Sequence, residues 1–98
     1  MITNVDSMGV VGPTAFKELL AAGSVKGATI RVADRGLIVV LHIGQNDRVL
    51  GQFRGGPRFF RSFDGAAAAL RQNGVMQWDA DATGWIPRTL LRGKKEQD

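Results

Sequence analysis

The sequence predicts an α+β domain: a three- or four-stranded antiparallel β-meander packed against two short helices, then a short C-terminal strand and a basic tail. Three observations lead there. Between residues 28 and 53, runs rich in Val, Ile and Leu are separated by tight turns at short, even spacing, as strands joined by hairpins are. On either side lie segments with apolar residues at helical spacing. A chain of 98 residues makes one domain with one modest core, burying roughly 60–65% of its unfolded surface.

Residues 1–13 show no sustained period and read as an N-terminal arm or an irregular edge. Pro13 suits a first helical turn, where its missing N–H costs nothing. Phe16, Leu19 and Leu20 then share one face, and Gly23 supplies the left-handed stop, with Val25 placed to pack back on the helix. Thr29 to Ala33 alternates, and Asp34-Arg35-Gly36 turns the chain. Leu37 to Ile43 is apolar on both sides except for His42, the mark of a central strand. Gly44 to Asp47 is a second turn, Arg48 to Phe53 a third strand, and Gly55-Gly56-Pro57 a third turn, with Arg58 to Arg61 as a short fourth strand. Ser62 caps a second helix whose stripe is Phe63, Ala66, Ala67 and Leu70, with Asp64 in its first turn and Asn73-Gly74 as its stop. Val75 to Asp81 alternates as a last strand, and the domain is expected to span 14–87. Residues 88–98 read as a basic, disordered tail with nothing to bury.

Composition narrows the chemistry. With no Cys, the chain has no disulfide, thiolate nucleophile or iron–sulfur ligand. No apolar run approaches the roughly 20 residues of a membrane span, and the first residues lack a signal peptide's basic and apolar segments. A cytoplasmic protein without cofactor or metal is the expectation. His42 is the single histidine and sits on an apolar strand, where a satisfied structural role is the ordinary one. Ser7, Ser24 and Ser62 each have a structural explanation, so no nucleophilic triad is expected. Asp79 and Asp81, two apart on a strand, place carboxylates roughly 7 Å from each other on one side. They read as the solvated face of an edge strand rather than a metal site.

The net charge is +4, from thirteen Lys and Arg against nine Asp and Glu, and it is unevenly placed. Arg48, Arg54, Arg58 and Arg61 form one concentration; Arg88, Arg92, Lys94 and Lys95 form another. The stretch from Gly51 to Arg61 interleaves three Arg with three Phe around a glycine turn. Guanidinium groups match phosphates and guanine edges, and aromatic faces stack on unpaired bases. The competing reading is a hairpin whose Phe53, Phe59 and Phe60 are core and whose arginines keep an edge soluble. Strand parity suggests that Arg31, Arg48, Gln52 and Arg58 share the sheet face that the helices leave open.

The string Phe16-Lys17-Glu18-Leu19-Leu20-Ala21-Ala22-Gly23-Ser24-Val25-Lys26-Gly27-Ala28-Thr29 resembles the opening of the small ParC-type partition-associated proteins of plasmids and integrative elements. These are distinct from the topoisomerase subunit of the same name. The segments Arg48 to Arg54 and Arg58 to Phe63, then Leu70, Gly74-Val75, Trp78 and Asp81, continue the likeness over about residues 14 to 86. The resemblance implies a role in stable inheritance of mobile DNA and supplies no catalytic residue. The expected function is a small non-enzymatic accessory protein, binding DNA phosphates through Arg31, Arg48, Gln52, Arg54, Arg58 and Arg61, with Lys94 and Lys95 adding unspecific attraction. The alternative is a protein-interaction module binding a partition ATPase, a second copy or a host factor, with Met76 and Trp85 as anchors. A homodimer is also expected, because a meander edge gains from pairing.

Overall fold

A computed structural model describes residues 5–87. A 3₁₀ turn (Val5–Ser7) and strand β1 (Gly9–Val11) lead into helix α1 (Pro13–Ala21). Strands β2 (Val25–Ala33), β3 (Gly36–Ile43) and β4 (Asn46–Leu50) follow, then helix α2 (Phe63–Gln72) and strand β5 (Asp79–Asp81). The sheet order is β1-β4-β3-β2-β5. The pairs β2/β3 and β3/β4 are antiparallel, whereas β1 runs parallel to β4 and β5 parallel to β2.

The predicted α+β class and the three-stranded meander are present, but the meander is the middle of a mixed sheet. Two parallel edge strands of three residues each enclose it, too short to carry any hydrophobic period. Of the two readings of the N-terminal stretch, Gly9–Val11 takes the edge. The expected fourth strand is absent: Gly51–Pro57 and Leu37–Phe60 form only isolated bridges. The last strand is shorter than its alternation suggested, because Val75 is tied by its N–H to the Leu70 carbonyl at the end of α2. Among the described residues no helix is long and apolar enough to cross a membrane.

Topology explains the layering. The β1–α1–β2 and β4–α2–β5 connections each join parallel strands, and each crosses two intervening strands in the same direction. With the common right hand, both helices fall on one face. Phe16 of α1 and Ala66, Ala69 and Leu70 of α2 accordingly pack on Ile30, Val39, Leu41 and Leu50 in one cluster.

Both helices end as their sequences predict. After α1, the Ser24 N–H reaches the Leu19 carbonyl and the Gly23 N–H the Leu20 carbonyl, with Gly23 at φ +73°. The Ser62 hydroxyl accepts from the Gly65 N–H at 3.0 Å at the start of α2.

The opposite face has no helix. Ile38, Val40 and Val49 are nevertheless fully buried there, under Val5, Met8 and Phe59. Arg35 holds this cover down: its guanidinium lies 4.7 Å from the Phe59 ring centroid and pairs with Asp6 at 2.9 Å. Gly36 is needed where the cover turns in, since at φ +143° a Cβ there would sit 3.0 Å from the Phe60 carbonyl oxygen.

Leu70→Ala removes a fully buried side chain from the helix–sheet contact and should cost about 2–5 kcal/mol, read from urea unfolding. A loss below about 1 kcal/mol is incompatible with this packing. Asp81 at the end of β5 accepts from the Thr83 hydroxyl and, at 3.0 Å, from its N–H. These bonds hold its carboxyl below the ordinary value of 3.8, with Arg31 acting in the same sense. The folded-state value being the lower one, this support is present above the unfolded value and is lost as pH falls through the folded one. NMR titration should give Asp81 a midpoint below 3.8, and Thr83→Ala should raise it; an unmoved midpoint excludes the hydroxyl as the cause.

Candidate nucleic-acid interface

Beyond Leu50 the chain leaves the sheet in a compact hairpin loop. The Gly51 N–H bonds to the Val11 carbonyl at 2.7 Å, and the Arg58 N–H returns to the Leu50 carbonyl at 3.0 Å. Within the loop, the Gln52 N–H bonds to the Gly56 carbonyl at 3.1 Å and the Gly55 N–H to the Gln52 carbonyl at 2.9 Å. Phe53 and Arg54 are thereby held at the tip, both exposed, and Phe53 is 85% exposed. The reading that made all three phenylalanines core therefore holds for Phe59 and Phe60 alone.

Beside the loop, a groove of about 380 Å³ is lined by Pro13 and Lys17 of α1, Gln52, Phe53 and Arg58, and Asn73 at the end of α2. Arg58 is oriented by the ring of Phe60, whose centroid is 4.7 Å from its guanidinium carbon. Phe60 itself is buried in the helix-side core, so this arginine stands on a fixed platform. The Asn73 amide nitrogen donates to the Ala69 carbonyl at 2.8 Å, which leaves its oxygen as an acceptor. Among the described residues the ion pairs engage Arg35 and His42; Lys17, Arg54, Arg58 and Arg61 make none. No acidic side chain lines the groove.

Other expected site residues lie elsewhere. Arg31 pairs in register with Ile38, and Val40 with Val49, which puts Arg31 and Val49 on the open face. Arg48 pairs with Leu41 and so lies on the helix side, in line with Leu50 and Gln52. Parity within each strand was sound, but the register between strands places Arg31 apart from Arg48 and Gln52. The Arg48 stem runs across Gly9, where a Cβ would come within 2.7 Å of its Cδ. Arg61 is exposed just before α2, and Lys94 and Lys95 lie outside the described residues. Met76, 70% exposed and in contact through its sulfur with Arg71, lies beyond the C-terminal end of α2. Trp85 is 37% exposed and meets Phe63, the first residue of α2, edge-on at 4.7 Å. The proposed anchors therefore sit at opposite ends of a helix ~15 Å long.

His42 is satisfied on both sides: Nδ1 bonds to Asp47 Oδ1 at 2.7 Å and Nε2 to Thr29 Oγ1 at 2.9 Å. This chain has the connectivity of a hydroxyl, base and orienting carboxylate, but Thr29 is only 7% exposed, and the three groups strap β2, β3 and β4 together. Asp79 and Asp81 are exposed on β5, and the described residues contain no metal-suited group of three or more His, Cys, Asp or Glu.

The sequence reading missed Lys17 and Asn73. Lys17 gave no signal beyond its charge, and Asn73 already had a role as a helix stop.

No curated protein and no solved structure matches the chain. A family match does extend over residues 11–89, taking in both helices and every residue that lines the groove. On that match, covering most of its length, the chain belongs to the ParC-like family.

Proposed function

We propose that this ParC-like chain is a non-enzymatic accessory protein of a mobile genetic element, acting in partition or its regulation by contacting DNA. The family supports the partition context. The observation that carries the DNA reading is the convergence of Lys17, Gln52 and Arg58 on one acid-free groove beside exposed Phe53 and Arg54. In this reading Lys17, Arg54, Arg58 and Arg61 hold phosphates, while Arg48 extends the basic row along β4. Arg31 has no part in it, because it lies on the other face. Lys94 and Lys95 add unspecific attraction.

A second reading, a protein-interaction module, is favoured by the apolar surface of Trp85, which packs on Phe63, and of the adjacent exposed Ile86. Aromatic anchors of this kind dominate protein hot spots. The partner would be a partition ATPase, a second copy or a host factor.

Fluorescence-anisotropy titration of labelled duplex DNA by the full chain separates the two readings. Four phosphate contacts give a log–log salt slope of roughly −3 to −4. The Arg54→Ala/Arg58→Ala/Arg61→Ala variant should remain folded by circular dichroism and lose binding. A slope near zero, or undiminished binding by the folded variant, removes the phosphate mechanism. Absence of binding at low salt together with Trp85-dependent capture of the element's own partition ATPase establishes the second reading.

A further inference from the structure

Phe53 is exposed to a degree that neither the core nor the loop explains. The loop closes through backbone hydrogen bonds of Gly51, Gln52, Gly55 and Arg58, none of which needs an aromatic side chain at the tip. The ring is 85% exposed, yet it stands at the rim of a groove that also presents two cations and two amide-bearing side chains. A phosphate-binding surface alone needs no such ring.

Resting on the DNA-contact reading above, we infer that this groove takes one unpaired nucleotide of a nucleic-acid strand. The base stacks on Phe53, its edge meets the amides of Gln52 and Asn73, and its flanking phosphates meet Lys17 and Arg58. Each role follows from chemistry. A solvent-facing ring recognises any base that has an open face, and bases within a duplex have none. Side-chain amides match the paired donors and acceptors of a base edge. Asn73 is held for this by its bond to Ala69, with its oxygen left over. The volume of about 380 Å³ lies within the range of small-ligand sites, and exposed Arg54, next in sequence to Phe53, is available to a neighbouring phosphate of the same strand. Arg58, fixed over Phe60, is a preorganised phosphate contact.

The experiment compares three probes at one low salt concentration with the full chain. These are a single-stranded oligonucleotide carrying 2-aminopurine, the same sequence as a duplex, and free dAMP. The single strand should bind more tightly than the duplex, with quenching of 2-aminopurine as it stacks. Phe53→Ala should weaken single-strand binding by about 5- to 100-fold, the effect of losing one base–aromatic stack. Phe53→Trp should retain it, and duplex binding should change little in either variant. Both substitutions fall on a side chain outside the core, so loss of folding is not expected to obscure the result.

Duplex binding equal to single-strand binding, with Phe53→Ala without effect, overturns the unpaired-nucleotide inference and leaves the phosphate reading standing. Equal losses on duplex and single strand mean that the ring wedges between paired bases, which also overturns it. Competition by dAMP at concentrations matching the oligonucleotide's overturns the assignment to a strand. Failure of both nucleic acids to bind at low salt removes the inference together with the reading beneath it.

Discussion

The central strand β3 is closed to water on both faces, with Ile38, Val39, Val40 and Leu41 fully buried, although helices cover only one of them. This follows from the two crossovers, which join parallel strands in the same direction and so deliver α1 and α2 to the same side. The uncovered face must be closed by other means. Val5, Met8 and Phe59 close it, and Arg35 fastens two separate segments of that cover by stacking on Phe59 and pairing with Asp6. Further along β3 the apolar cover gives way to the Thr29–His42–Asp47 strap across β2, β3 and β4, in which the buried Thr29 hydroxyl and the partly buried His42 ring are hydrogen-bonded and Asp47 is exposed. A buried hydroxyl and a partly buried imidazole are tolerable in the sheet on that condition.

The segment between β4 and α2 serves both sides of the sheet and the candidate interface as well. Its adjacent phenylalanines part company: Phe59 goes to the open-face cluster and Phe60 to the helix-side core. The bridge between Leu37 and Phe60 pins the division at the start of β3. A few residues earlier, the same segment projects Phe53 and Arg54 into solvent and aims Arg58 into the groove. The groove thus rests on a loop braced by core residues, so its lining is ordered in the absence of any ligand. Arg58 shows the coupling most directly, since the ring that orients its guanidinium is itself part of the core.

Basic residues close together in sequence do not make one surface. Arg31 and Arg48 were expected to share a face, and the pairings Arg31–Ile38 and Leu41–Arg48 put them on opposite faces. A change of one residue in register exchanges the faces of a whole strand. Conversely, Lys17, Gln52 and Asn73 are distant in sequence and meet in one groove. The grouping of cations on one surface is set by the fold rather than by the sum of charge.

Local rules determined much of this protein from the sequence alone. Pro13, Gly23, Ser62 and Asn73-Gly74 mark the helix ends because each meets a backbone requirement within a few residues of itself. Alternation and tight turns are equally local, and they marked β2, β3 and β4. The ParC-like resemblance, carried by strings from Phe16 onward, was likewise legible without a structure. Tertiary structure alone decided what depends on distant partners. β1 and β5 are strands only because β4 and β2 offer them hydrogen bonds. The face on which Arg31 lies depends on inter-strand register, and the groove exists only where α1, the β4 loop and the end of α2 converge. Three-residue strands and non-local grooves have no periodicity to read, because their stabilising contacts are made across the chain rather than along it.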